Sequence, residues 1–500
     1  MAVADSLARR MARGTIAQQA AQGVGLIAAL VITTALARDL ALAEFGLYGL
    51  VVSTVAYLSF AFGSAEAAVV RSLAATNAGP ERDRVFTAAV VVYAGLGLAG
   101  GALLAAGGAI LVSNLGFHGG LEMAGRLGAL GVGVSVAIGW PLKLLHVVLR
   151  SDQRFIAASA AEAAAQIVLA ASTVALIALG GPLWLLITLG SSIPLLTGIC
   201  AAPAFILSSS PVALAPRKVR RQDVRDLVAV SSAMLGVGAA DVVITSLDRI
   251  ILGAFRSPAA LGLYEGAIRP NNVVRAATGA FSVTLLPVLA RLKATRDPGL
   301  ERALVLRGTR YMLAGVVPPT AGLIAFAEPI LRTWLGEQYA EAWVACSIFL
   351  AWWLVSSNAA IAETSMFVEG RLRRLATLSW ATAGLNLVLS LGLTPLLGLE
   401  GVALGTTLAY VAILPFWVTD MLRRTGIGAR ELAVQAWLPA YAAGAVVVGV
   451  ALAARAALPL DEPVAVFGAL LAAVAVGWAF LAFAFSTPDE RRLARELFRS

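Results

Sequence analysis

The sequence predicts an all-α polytopic membrane protein of about 14 transmembrane helices, arranged as two six-helix lobes around a central cavity plus two C-terminal helices. Three observations predict it. Of 500 residues, 59% are hydrophobic and only 13% charged, about half the roughly 25% charge of an ordinary soluble domain. Apolar runs of about 20 residues or more, enough to cross a bilayer, recur along the whole chain. Basic residues collect in alternate loops between those runs. A soluble globular protein is excluded.

The first element follows Arg9, Arg10 and Arg13 and ends at Ala35-Leu36-Ala37, which superficially fits a signal-peptidase site. Its apolar stretch exceeds the ~7 to 15 residues of a signal sequence core, so it reads as an uncleaved first helix. Hydropathy then gives fourteen spans, at about 15–37, 45–70, 85–113, 123–149, 155–179, 183–208, 225–254, 260–289, 305–327, 341–368, 375–397, 401–422, 432–457 and 464–486. Of the 38 Lys and Arg, 29 lie in one set of alternate loops that includes both termini. The opposite loops hold Arg38, Arg126, Arg256, Arg332 and Arg455. The positive-inside rule therefore places both termini in the cytoplasm and the protein in the inner membrane. The net charge of +9 thus reports topology, and no nucleic-acid partner is called for. Cys200 and Cys346 both lie in apolar runs, without metal-binding spacing or a disulfide framework.

One long polar connection, 209–226, carries Pro211, Pro216, Arg217, Lys218, Arg220 and Arg221. It separates an N-terminal lobe, 1–208, from a C-terminal lobe, 227–425; spans 13 and 14 occupy 426–486 and a cytoplasmic tail 487–500. In that tail, Leu493 and Leu497 suit either a short interfacial helix or a solvated charged end. A faint repeat supports the lobes. Phe45-Gly46-Leu47-Tyr48-Gly49 answers Leu261-Gly262-Leu263-Tyr264-Glu265 at an offset of 216, and Gln153-Arg154-Phe155 answers Gly370-Arg371-Leu372 at 217. Duplicated bundles with an even number of spans are related by an axis along the membrane normal, with substrate held between the halves.

No GxxxxGK[ST] phosphate loop is present, and the first outer loop lacks the paired acidic spacing of lipid-dependent glycosyltransferases. Transport without an enzymatic step or a cofactor is therefore the leading class. Its informative residues are ionisable groups inside spans, each costing about 2.5 to 3.5 kcal/mol at the bilayer centre. Asp241, Thr245 and Asp248 share one face of the seventh span, with Arg249 beside them. Glu265, Arg269, Asn272 and Arg275 form one polar stripe on the eighth, which Pro270 interrupts next to Asn271. The stripe either lines a polar cavity or includes a rim ion pair between Glu265 and Arg269. Weaker signals are Gln18, Gln19 and Gln22 on the first span, Lys143 and His146 after Pro141, Glu162, and Glu363.

Several motifs carry a resemblance: Arg38-Asp39-Leu40 with Glu44-Phe45-Gly46-Leu47-Tyr48; Leu247-Asp248-Arg249-Ile250-Ile251-Leu252-Gly253 with Leu261-Gly262-Leu263-Tyr264; Leu286-Pro287-Val288-Leu289-Ala290-Arg291-Leu292; and Asn386 with Leu399-Glu400-Gly401-Val402-Ala403-Leu404-Gly405-Thr406. Together they resemble the polysaccharide transporter family, which includes the Wzx-type oligosaccharide flippases of the multidrug/oligosaccharidyl-lipid/polysaccharide (MATE-like) superfamily. The resemblance implies alternating access, a polyprenyl-diphosphate-linked oligosaccharide as substrate, and O-antigen, exopolysaccharide or capsule synthesis as the setting. It implies that Arg269, Arg275 and Arg249 receive the diphosphate while Asn271, Asn272, Gln18 and Gln22 meet the glycan. Asp241, Asp248 and Glu265 are then coupling candidates and Pro270 a gating candidate. Implied partners are membrane lipids, a polysaccharide polymerase and a chain-length regulator. Lipid II flippases carry arginines on the first span where this chain has glutamines, which argues against that cargo. A drug/cation antiporter using Asp241 and Asp248, a membrane glycan polymerase and a non-transporting scaffold are the alternative readings.

Overall fold

A chain crossing hydrocarbon has no water to satisfy its backbone, so each crossing segment closes its own hydrogen bonds as a helix. The computed structural model describes residues 2–207, 212–232, 239–240, 242, 244, 246–295 and 298–486, and every regular element among them is helical. The protein is a multi-pass membrane protein of the expected class. Among the described residues, nine helices are long and apolar enough to cross a bilayer, or twelve when each of three bent pairs counts as one span. Of the other two expected spans, 225–254 runs through a segment that is only partly described, and 260–289 lies within the helix Pro258–Thr295.

The chain divides into two compact units, Met1–Glu265 and Gly266–Ser500. The first holds α1 (Ala2–Asp39), α2 (Leu42–Ser53), α3 (Ala56–Ala74), α4 (Pro80–Asn114), α5 (Gly120–Ser151), α6 (Phe155–Ala178), α7 (Leu183–Gly190), α8 (Ile193–Ile206), α9 (Arg221–Ser232) and α10 (Asp248–Phe255). Helix α11 (Pro258–Thr295) starts in it and continues into the second unit. That unit adds α12 (Pro298–Ala325), α13 (Trp343–Ser356), α14 (Ala360–Val368), α15 (Leu372–Leu397), α16 (Leu399–Thr425), α17 (Leu438–Ala457) and α18 (Pro463–Phe485).

In the first unit α5 is central, packing against α4, α7 and α8. Leu98, Leu103 and Ile110 on the outer side of α4 are more than half exposed, an apolar face of the kind lipid covers. The sixth expected span is bent by 59° between α7 and α8. Pro194 cannot donate to the turn before it, and the hydroxyls of Ser191 and Ser192 donate instead to Thr188 O (2.8 Å) and Leu189 O (2.6 Å). The tenth expected span, 341–368, is not one helix but two, α13 and α14. A Ser-Ser-Asn run breaks it: Asn358 Nδ2 donates to Leu354 O at 2.7 Å and to the Tyr441 hydroxyl at 2.8 Å, competing with the backbone ladder.

The polar connection is docked on the first unit. Ala213 N donates to Asp83 Oδ1 (2.8 Å), Ala215 N to Thr87 Oγ1 (2.9 Å), and Arg84 lies 3.2 Å from Asp223. Within the second unit, buried Asn386 on α15 donates to Thr406 Oγ1 on α16 at 2.8 Å. An amide–hydroxyl bond of this kind ties helices together where lipid supplies no drive.

The repeated turns also share a geometry. Gln153 (φ 58°) and Gly370 (φ 69°) are both left-handed, and an arginine follows each. Arg154 Nη1 donates to Ala204 O near the end of α8 (3.1 Å), and Arg371 makes a bidentate pair with Asp420 near the end of α16 (2.7 and 2.9 Å). Each turn thus clamps the start of one helix to the end of another in its own unit. A Cβ in the left-handed region is unfavourable by about 1 to 2 kcal/mol. Gly370→Ala should therefore lower stability by about 1 kcal/mol, whereas Gln153→Gly should not; thermal unfolding of the purified variants checks both.

Candidate functional site

The two copies of the first repeat motif meet in space. A Cβ on Gly46 of α2 would lie 2.7 Å from both Gly262 N and Pro258 O, and a Cβ on Gly262 of α11 would lie 2.0 Å from Leu42 O. Residues 42 and 258 are separated by the same 216 positions as 46 and 262. The crossing is therefore reciprocal: each glycine accepts the first carbonyl of the other helix. No side chain larger than hydrogen fits either position, because the opposing atoms are backbone.

One turn further the reciprocity ends. Gly49 faces Glu265, whose Cδ would lie 2.1 Å from a Cβ at position 49. Glu265 is 1% exposed and accepts from Arg249 Nε of α10 at 2.5 Å. The Arg249 guanidinium stands 5.0 Å from the centroid of the Tyr264 ring, a cation–π position. Tyr57 donates its hydroxyl to Ser246 O (2.8 Å), and Asp248 is buried at the start of α10. A buried ion pair survives desolvation only with good geometry and further polar neighbours, and these are present. The structure thus brings Arg249 and Glu265 into one buried pair beneath Gly49, with Asp248 buried next to Arg249 in the chain.

The remaining predicted residues are distributed differently. Pro270 is buried and does not interrupt its helix: α11 is continuous from Pro258 to Thr295. A proline ring presses on the carbonyl four residues earlier, here that of Gly266. Gly266 is seated under Tyr339, where a Cβ would lie 2.4 Å from Tyr339 Cδ1, so packing holds the helix across the missing bond. Asn271 is buried and accepts from Trp353 Nε1 of α13 at 2.7 Å, which gives it a structural contact within the second unit. Arg269 is half-buried, while Asn272 and Arg275 are exposed. Gln18 and Gln22 are exposed on α1. Asp241 and Thr245 lie outside the described residues.

Sequence reasoning passed over Glu66 on α3. Its two oxygens take Lys143 Nζ (2.8 Å) and Arg150 Nη1 (2.7 Å), both from α5. The available signal was a lone carboxylate within an apolar run.

Residues 35–344, more than half of the chain, match the family described as polysaccharide biosynthesis protein. No curated protein matches by sequence. Among solved structures, lipid II flippase MurJ in an inward closed conformation aligns with a TM-score of 0.73 at 13% identity, over 94% of this chain and 98% of its own. An inward-facing multidrug resistance MATE family transporter of the MOP superfamily aligns at 0.68 and 13% identity, over 82% and 98%. A MOP superfamily transporter from Pyrococcus furiosus gives 0.56 and 13%, over 83% and 95%. At these identities the likeness is one of fold.

Glu265→Ala leaves Arg249 buried without its carboxylate, which should reduce stability by about 3 to 5 kcal/mol. Replacing both, as Arg249→Met with Glu265→Leu, should recover most of that loss; thermal unfolding in detergent distinguishes the two.

Proposed function

The chain belongs to the polysaccharide biosynthesis protein family, and on that premise we propose that it is a flippase for polyprenyl-diphosphate-linked oligosaccharide repeat units. It moves them across the inner membrane by alternating access, for O-antigen, exopolysaccharide or capsule synthesis, and performs no enzymatic step. The observation that carries this reading is the basic strip of α11. Arg269, Asn272 and Arg275 are half-buried or exposed on an otherwise apolar helix, and no carboxylate occurs between Gly266 and Thr295. Arginines in a membrane helix face water, a ligand or protein groups, because facing lipid costs about 2.5 to 3.5 kcal/mol each. The planar guanidinium makes charge-assisted, often bidentate bonds to phosphate oxygens, so two of them suit a diphosphate better than an organic cation.

The neighbouring folds are those of a lipid II flippase and of a multidrug transporter, and the basic sign of the strip supports an anionic cargo. Glutamines at 18, 19 and 22 supply neutral hydrogen-bonding groups of the kind that meet sugar hydroxyls. Outward movement of about two negative charges against an interior-negative potential of 100 mV is favoured by about 4 to 5 kcal/mol, so charge movement itself contributes drive. Polymerase and chain-length regulator would act on the delivered repeat unit at the outer leaflet.

Replacing Arg269 and Arg275 together by Ala should abolish surface glycan while the protein persists in the membrane. Complete lipid-linked repeat units should then accumulate, measured by mass spectrometry of extracted polyprenyl-linked saccharides. Unchanged glycan output overturns the role of the two arginines. Drug hypersensitivity of a deletion strain without accumulation would instead indicate a drug/cation antiporter.

A further inference from the structure

We infer that a cleft on the lipid-facing side of the first unit, between α5 and the bent α7–α8 span, is a binding site for one acyl chain of a membrane phospholipid. Such a site is independent of what the protein transports.

Leu127, Leu130, Val134 and Ile138 recur every three or four residues and so form one stripe along α5. All four are about half exposed and line the cleft. Trp184 and Leu189 of α7 and Leu195 of α8 line it from the other side. Close contacts hold the two sides together: a Cβ on Gly131 would lie 1.9 Å from Thr188 Oγ1, and one on Gly139 would lie 2.8 Å from Leu195 N. Between these contacts the span turns by 59° at Ser191–Ser192, and the cleft along it measures about 590 Å³. That volume lies within the ~300 to 1,000 Å³ of small-molecule sites.

The lining selects hydrocarbon. Among the described residues that form it, none is charged. Its hydroxyls are turned to the backbone: Thr188 donates to Trp184 O (2.8 Å), Ser192 to Leu189 O (2.6 Å), and Ser135 Oγ lies 3.5 Å from Ser191 O. What remains for a ligand is dispersion contact, which an unfilled cleft forfeits. At membrane depth no water is present to fill it. A chain lying here touches helices on two sides, whereas one lying on the exposed Leu98, Leu103 and Ile110 of α4 touches a single helix face.

Depth selects the kind of chain. At 1.5 Å per residue, α5 rises about 17 Å from Leu127 to Ile138, close to the ~15 Å of one hydrocarbon leaflet. The ion pair Glu122–Arg126 (2.6 Å) immediately precedes the stripe, and Trp184, a residue type that favours the headgroup boundary, is the second residue of α7. The cleft therefore runs from the edge of the hydrocarbon towards its centre. A phospholipid acyl chain fills that depth. A polyprenyl tail is methyl-branched and longer than one leaflet is deep, so it would extend past Ile138.

Two probes test the site: a phosphatidylethanolamine with a diazirine in one acyl chain, and a polyprenyl phosphate with a diazirine in its tail. Each is added to the delipidated full-length protein in excess detergent, and attachment is read by peptide mass spectrometry. The phosphatidylethanolamine probe should label 127–138 and 184–196, saturate at one probe per protein and be displaced by unlabelled phosphatidylethanolamine. Labelling of 98–110 should instead rise with probe concentration without saturating. Val134→Trp, which fills the cleft from an exposed position, should lose the saturable labelling and keep that of 98–110. Wild-type cleft labelling that is absent, or that fails to saturate, overturns the site whether or not the variant folds. A variant that keeps both kinds of labelling also overturns it. Stronger saturable labelling by the polyprenyl probe overturns the phospholipid as occupant.

Discussion

Helices already embedded in lipid gain little by burying apolar surface against one another, so their association depends on close backbone approach and on polar contacts. The crossing of α2 on α11 shows that constraint most directly. Gly46 and Gly262 let two backbones meet at a separation no side chain permits. Several features follow from that approach. Glu265 is pressed over Gly49 and becomes almost fully buried; a buried carboxylate requires a cation, and Arg249, standing over the Tyr264 ring, supplies it at 2.5 Å. The same logic operates within the second unit, where Asn386 and Thr406 close a polar bond between α15 and α16.

The membrane class and most spans were legible because the lack of water in hydrocarbon is written into composition itself. The breaks in the spans were less legible. At 191–192 and 357–358 they depend on serine and asparagine side chains taking over backbone hydrogen bonds, and those residue types also occur in unbroken membrane helices. At Pro270 the helix continues, with Gly266 packed against Tyr339 across the lost bond. Asn271 was read as a cavity residue, yet Trp353, 82 positions away, takes its side chain. Glu66 was invisible as a site because its partners lie 77 and 84 residues along the chain. Periodicity on a single helix cannot reveal such distant pairs. The repeat was legible as similarity; that the copies touch each other was not, because similarity carries no distance.

Ionisable residues fall into two groups by environment. In the first unit, Glu66, Arg82, Asp152, Arg249 and Glu265 sit in ion pairs with little exposure. On α11 beyond Gly266, the arginines at 269 and 275 are half-buried and exposed. Charges paired in the interior contribute conformational specificity, and arginines with this much exposure on a membrane helix suit an anionic ligand.

The repeat contact is also asymmetric. At an offset of 216, Glu265, Arg249 and Asp248 correspond to Gly49, Thr33 and Ile32, so the second copy alone carries the charges. Two glycine-paired backbones with no polar term would lose packing and recover nothing on parting. Here the closed state also bears the desolvation of Arg249 and Glu265, a penalty of several kcal/mol per ion that their attraction only partly offsets. Were α2 parted from α11, water would reach the pair and relieve that penalty, while an exposed pair retains about 0 to 1 kcal/mol of its own. Loss of packing and gain of hydration therefore oppose each other at one place. Two similar segments, with charge on one copy alone, are sufficient to build a contact balanced in this way.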